Sequence, residues 1–213
     1  MRRIVDEVVE ADASLADVFE GPETMPAEAW PRVREARVRL HHLINETPHL
    51  DWLLLTKRPE NVVRFAEGPE RSWTENTPPN VWLGASVENR AEVGRIDVLR
   101  RVTAAVRFLS VEPLLEDLGR LDLSGIDWCI VGGESGGGAR PMNVEWARSL
   151  VRQCRAAGVK VFVKQLGANP TQLDVGGTFD RAFVRTTQLR LRDRKGGDMD
   201  EFPADLRVRE FPR

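Results

Sequence analysis

A carboxylate and a guanidinium bracket the most glycine-rich tract of this chain, Gly132-Gly133-Glu134-Ser135-Gly136-Gly137-Gly138-Ala139-Arg140-Pro141. Glycines let the backbone turn sharply and let a ligand approach main-chain N–H groups closely. Glu134 suits an amine or ribose hydroxyls, and Arg140 can hold a carboxylate or phosphate through two parallel hydrogen bonds. The tract has neither the spacing of a P-loop nor that of a dinucleotide fingerprint. The plainer alternative is a flexible surface turn. Four further polar knots could carry chemistry: Thr56-Lys57-Arg58, Ser86-Val87-Glu88, Ser110-Val111-Glu112-Pro113 and Lys164-Gln165. Lys57 and Arg58 stand where a helix begins, so their charge opposes the helix dipole and calls for an anion. Glu88 and Glu112 are the candidate partners for Lys57, Arg58 or Lys164, and a purely structural ring of ion pairs competes with catalysis. A lysine buried at position 164 must be paired or lose its proton readily. Unpaired, it could act as a Schiff-base or general-base lysine with Glu112 or Glu134. His41, His42 and His49 lie on one helix and just beyond it, so no Ser/His/Asp or Cys/His set can be assembled. Trp73, in a polar stretch, is the one tryptophan placed for base stacking.

Each knot follows a short apolar run: 52–55, 81–85, 106–109, 128–131 and 159–163. Continuous apolar runs suit strands covered on both faces, as in a parallel sheet. Polar groups at every carboxyl end are what a (β/α) barrel places around one mouth. Helices are expected between them. Pro26 is placed to open the first, which would bury Val33, Ala36, Leu40, Leu43 and Ile44 and stop before Pro48. Pro59 opens a second, and a charge-rich third falls near residues 89–102. Asn143 caps the clearest, with Val144, Ala147, Leu150, Val151 and Cys154 on one face and Gly158 ending it. A sixth strand is expected over residues 4–9. The expected fold is α/β, a partial (β/α) barrel of about six parallel strands over residues 1–167, with a loop-rich C-terminal extension over 168–213.

Composition limits the function. The 213 residues are 41% hydrophobic and 30% charged with a net charge of −2, which suits a globular domain and gives no global electrostatic case for nucleic acid. A local basic rim of Lys57, Arg58, Arg140 and Lys164 leaves a nucleic-acid partner open. The two cysteines, Cys129 and Cys154, fall in a buried strand and on a helix, which fits free thiols in a reducing cytoplasm. No signal-peptide core or membrane-length run is present, so a cytoplasmic protein without a membrane partner is expected.

Ser14-Leu15-Ala16-Asp17-Val18-Phe19, LLTKRPEN, NVWLGASVEN, VRFLSVEPLL, WCIVGGESGGGARPM, VKVFVKQLG and KGGDMDEFPADLRVREFP together resemble an uncharacterised phage-protein family, a domain of unknown function. That family is in turn similar to radical S-adenosylmethionine (SAM) enzymes. The resemblance implies a partial barrel in which a cysteine-ligated 4Fe–4S cluster cleaves SAM. It places Thr56, Lys57, Arg58, Ser86, Glu112 and the run Gly132, Gly133, Glu134 and Ser135 around the SAM and substrate mouth. The residues themselves add Glu88, Arg140 and Gln165 as candidate contacts to SAM or a nucleotide-like ligand, and Glu112, Glu134 and Lys164 as candidate catalytic groups. This chain departs from the family at its amino end, where a CxxxSxGCxxCYA segment would supply three thiolates and no such segment exists. A truncated barrel that cannot hold its own cluster is therefore expected. Its edge beside residues 4–9 would be left to pair with a second copy or a partner chain. Three functions follow: a SAM- or nucleotide-binding radical-SAM-like barrel, a non-catalytic interaction module, or a metal-free lysine-based enzyme.

Overall fold

The computed structural model describes residues 17, 19–24, 26–67, 77–176 and 183–212. The elements begin with α1 (Trp30–Glu46), β1 (Trp52–Thr56), α2 (Pro59–Glu67), β2 (Val81–Ser86), a 3-10 turn (Arg90–Glu92) and α3 (Arg95–Leu99). They continue through β3 (Val106–Val111), β4 (Trp128–Gly132), β5 (Met142–Asn143), α4 (Val144–Ala157), β6 (Lys160–Gln165), β7 (Pro170–Gly176) and β8 (Phe183–Gln188). Two short 3-10 segments, Met199–Glu201 and Ala204–Leu206, follow.

All five apolar runs are strands. They form one parallel sheet in the order β1-β2-β3-β4-β6, open rather than closed. Strand order follows chain order, without the reversal that a doubly wound sheet shows at its switch point. The strand expected over residues 4–9, and with it the proposed pairing edge, lies outside the described residues; so does Trp73. No described helix is long and apolar enough to cross a membrane. The chain divides into two compact units, Met1–Ser86 with Gly94–Phe108, and Val87–Val93 with Leu109–Arg213.

In the first unit, α1 begins at Trp30 with Pro31 in its first turn, four residues later than Pro26 suggested. Its inward face is Val33, Arg37, Leu40 and Ile44, while Ala36 and Leu43 are only half-buried. Arg37 can lie inward because its guanidinium donates to the Glu20 carbonyl at 2.6 Å and rests over the Trp30 ring. The frayed end of α1 is tied down by Asn80, whose Nδ2 reaches the carbonyls of Ile44, Thr47 and Leu50 at 3.3, 3.1 and 3.0 Å. The Asn80 carbonyl in turn accepts from Trp52 N at 2.8 Å, so one buried amide fixes where β1 starts. Farther along, the Phe108 ring occupies the space a side chain on Gly84 would need, at 2.3 Å from its would-be Cβ.

In the second unit, α4 is the helix the sequence describes. Asn143 Oδ1 accepts from Glu145 N at 3.0 Å, the five expected residues face inward, and Gly158 closes the end at φ 72°. Burying each Val or Leu of that face contributes roughly 1.5–3 kcal/mol. The helix packs on β4, β5, β6 and β7. The segment after Ala168 is more ordered than a run of loops. β7 and β8 form an antiparallel hairpin, and the start of β7 pairs in parallel with β5. Its glycines and prolines concealed this, because Pro170 opens β7 and Gly176 ends it. The last residues run beside β6: Val163 N donates to Val208 O at 2.8 Å and Glu210 N to Val161 O at 2.9 Å. That covers an edge which would otherwise offer itself to another chain.

Candidate functional site

The polar end of β1 is built around a segment that precedes it in the chain. Asp17 Oδ2 accepts from Thr56 Oγ1 at 2.7 Å and from Lys57 N at 2.8 Å, while its Oδ1 accepts from Phe19 N at 3.0 Å. Thr56 Oγ1 also accepts from Arg58 N at 2.9 Å. Arg58 Nε meets Glu20 at 2.5 Å, and the buried Asn61 amide donates to the Phe19 carbonyl at 2.8 Å. The anion that Arg58 takes at this helix start is therefore Glu20. Charge alone could not select it among 33 acidic residues, although Asp17 lies within one of the family motifs. Ser86, at the end of β2, is buried, and its carbonyl accepts from Arg95 Nη1 at 2.9 Å.

In the second unit the ends of β4 and β6 are shaped by a register shift. Ladder partners run Val131 with Val163 and then Gly132 with Gln165, so Lys164 has no opposite residue. A bulge of this kind re-aims side chains. Lys164 Nζ donates to Glu112 Oε2 at 2.8 Å, with the lysine side chain 38% exposed and the glutamate 17%. Lys164 is thus half-exposed and paired with Glu112, one of its expected partners. Gly132 makes room for it, since its would-be Cβ lies 3.0 Å from Glu112 Cδ.

Three backbone segments stack where this motif ends. A Cβ on Gly133 would lie 2.3 Å from Leu166 O, one on Gly167 2.6 Å from Glu134 O, and one on Gly196 2.4 Å from Gly167 O. Only glycine allows such approach, and Gly167 and Gly196 also have φ of 81° and 61°. Hydrogen bonds lock the stack: Gly133 N to Gln165 O at 3.0 Å, Ala168 N to Glu134 O at 2.8 Å and Leu166 N to Gly196 O at 2.7 Å. Gln165 contributes its side chain as well, Nε2 donating to Gly133 O at 2.9 Å.

Above the stack, Glu134 and Arg140 hold each other. Arg140 Nε and Nη2 reach the two carboxylate oxygens at 2.9 and 2.8 Å, and Arg140 N adds a third bond at 2.8 Å. The guanidinium, followed by the Arg140 backbone N–H, pulls the Glu134 carboxyl from 4.5 down to about 2. The glycine loop between them, carrying Ser135, is thereby clasped at its ends. Each thus spends part of its hydrogen-bonding capacity on the other, and both stay partly exposed.

The clasp has a second carboxylate nearby. Glu88, only 7% exposed, contributes to raising the Arg140 pKa, after the larger effect of Glu134. Its neighbour Asn89 went unnoticed in the sequence because asparagine after a strand reads as a turn residue. Its Oδ1 is buried and is the one such side-chain atom without a hydrogen-bond partner among the described residues. A buried acceptor left unpaired costs about 1–3 kcal/mol, so it asks for a donor.

The family model described as Protein of unknown function (DUF5131) matches residues 11–203. The chain belongs to that family. No curated protein and no solved structure matches it. Within this member the thiols do not fit an iron–sulfur cluster, which takes several cysteine ligands. Cys129 and Cys154 are both buried, and the hydrogen bond with Cys154 together with burial pushes the Cys129 thiol well up. Among the described residues no group of three His, Cys, Asp or Glu could hold a metal ion.

Proposed function

We propose that this DUF5131 member is a partial (β/α) barrel of radical-SAM type whose second unit binds SAM or a nucleotide-like small molecule at the carboxyl ends of its strands. Two features support the barrel: strand order that follows chain order without reversal, and polar groups gathered at strand ends. One observation carries the ligand, the buried and unpartnered Asn89 Oδ1. An amide oxygen is an acceptor. Its natural complement is a ligand rich in donors, such as the amino group of an amino acid or the hydroxyls of a ribose. Glu112, Lys164, Arg140 and Glu134 then belong to the wall that shapes the site, and the glycine stack holds that wall rigid. SAM, when bound, would supply a sulfonium centre. The residues of this chain would hold its amine and sugar and do no cluster chemistry, since the thiolates for a cluster are absent from the sequence.

Calorimetry with SAM, and with adenosine as the smaller probe, tests this. The Asn89→Ala protein should bind about ten-fold more weakly, the value of one hydrogen bond of about 1.4 kcal/mol. It should unfold no earlier than the parent, because an acceptor without a partner has been removed. Absence of heat and of thermal shift with millimolar SAM or adenosine would defeat the reading. So would an Asn89→Ala protein that binds as tightly as the parent.

A further inference from the structure

A separate cleft of about 800 Å³ opens in the second unit between the glycine loop and the stretch leaving β8. None of Glu88, Glu112, Glu134, Arg140 or Lys164 lines it. On one side are Ser135, Gly136 and Gly137, and on the other Arg190, Arg194 and Lys195. These two sides are complementary to one kind of ligand. The backbone N–H groups of Ser135, Gly136 and Gly137 donate to no described residue, and Gly136 has φ 101°. Successive free amides in such a turn form a concavity that suits an anion. The three cationic side chains, all exposed, make no ion pair and no side-chain hydrogen bond among the described residues.

The surrounding structure keeps these cations free while fixing their backbone. Arg192, between two of them, is drawn away by Glu201, which accepts its Nε at 2.9 Å and also its backbone N–H. Asp193 is the one carboxylate in the lining, and its oxygens are occupied by Lys195 N, Gly197 N and Asp198 N at 3.1, 2.7 and 3.0 Å. The tract is anchored at its start by Leu189 N on Pro170 O at 2.9 Å, and at its turn by the glycine stack through Gly196. The cleft is therefore lined by three cations without an ion pair and by a loop whose amides have no partner among the described residues, in a chain whose net charge is −2. No aromatic side chain lines it, so nothing there would stack a base. We infer that this cleft binds phosphate groups through charge and backbone N–H donors, without reading sequence. The phosphates can be presented along a single-stranded oligonucleotide or as the tail of a nucleoside polyphosphate. The inference does not rest on the ligand assigned to the strand ends.

The test is fluorescence anisotropy with a short labelled oligothymidylate over a salt series, with inorganic tripolyphosphate and polyglutamate as competitors. If all three cations touch phosphate, the logarithm of the binding constant falls with that of salt at a slope of about −2. The Arg190→Gln, Arg194→Gln, Lys195→Gln protein should bind at least about ten-fold more weakly with a slope near zero. Lys195→Gln alone touches an exposed, unpartnered side chain and serves as the variant that folds. It should weaken binding several-fold and flatten the slope by roughly a third. Arg152→Gln, an exposed residue of α4 outside the cleft, should change nothing. Competition by tripolyphosphate at equal concentration assigns the polyphosphate tail as ligand, and displacement only by oligonucleotide assigns the chain. Absence of binding, equal competition by polyglutamate, or an unchanged Lys195→Gln slope overturns the inference. SAM binding should be the same in Lys195→Gln and the parent, so the two sites fail separately.

Discussion

Replacing Gly133 by alanine puts the backbone stack to its most direct test. The added Cβ would lie 2.3 Å from Leu166 O, 2.7 Å from Leu166 C and 3.0 Å from Gly167 Cα, all backbone atoms that cannot rotate away. An ordinary carbon–oxygen approach is about 3.3 Å, so the ends of β4 and β6 must separate by about 1 Å. That displacement acts on three hydrogen bonds: Gly133 N to Gln165 O at 3.0 Å, Gln165 Nε2 to Gly133 O at 2.9 Å and Ala168 N to Glu134 O at 2.8 Å. Lengthened by that amount, all three pass out of hydrogen-bonding range. At a net 0.5–1.5 kcal/mol each, the loss is about 3 kcal/mol. For a chain of this size it corresponds to a fall in Tm of about 6–12 °C. The comparison variant is Gly137→Ala, where nothing lies within 4 Å of the would-be Cβ and φ is not positive. Its Tm should stay within about 2 °C of the parent, since surface changes of this kind lie within about 0.5 kcal/mol. Differential scanning fluorimetry measures both, and hydrogen exchange at the Gly133 and Ala168 amides localises the damage. A Gly133→Ala protein with parental Tm and unchanged protection at those amides would refute the stacked-backbone argument.

Three further outcomes follow from the same geometry. Glu134 has its carboxyl held at about 2 by the Arg140 guanidinium and N–H, so the clasp is complete above about 4.5 and opens as pH falls toward 2. Carboxyl NMR of Arg140→Ala should show Glu134 titrating near 4.5, and a value still near 2 would exclude Arg140 as the cause. Asp17→Ala removes three acceptor contacts at the start of α2 and should destabilise by about 2 kcal/mol in urea unfolding, whereas a change below about 0.5 kcal/mol would show the Asp17 segment to be dispensable. Both thiols should stay silent to Ellman's reagent in the folded protein and react only on denaturation, since Cys129 and Cys154 are fully buried and the Cys129 thiol is pushed up; prompt labelling of the native chain would contradict that packing.

Strand and helix placement was legible in the sequence because each depends on a local pattern. Apolar runs of four or five residues marked β1, β2, β3, β4 and β6, and Asn143 with Gly158 marked both ends of α4. The order of polar knots at strand ends came with them, since each knot follows its strand directly. Charge pairing was not legible. Arg58 took Glu20 and Lys164 took Glu112, and only the second was among the expected pairs, because a Coulombic preference carries no address.

The sequence by itself determined an alternation of buried strands and amphipathic helices, two cysteines too few for a cluster, and glycines at positions 132, 133 and 136–138. Tertiary structure alone decided what those glycines do. Gly133 admits the Leu166 carbonyl, Gly167 admits that of Glu134, and Gly136 and Gly137 stay open beside three unpaired cations. A glycine permits close approach without naming what approaches. The partner is set by β6 and the 193–198 turn folding back onto the end of β4, contacts distant along the chain. The same holds for Asn89, whose missing partner is visible only once its surroundings are assembled.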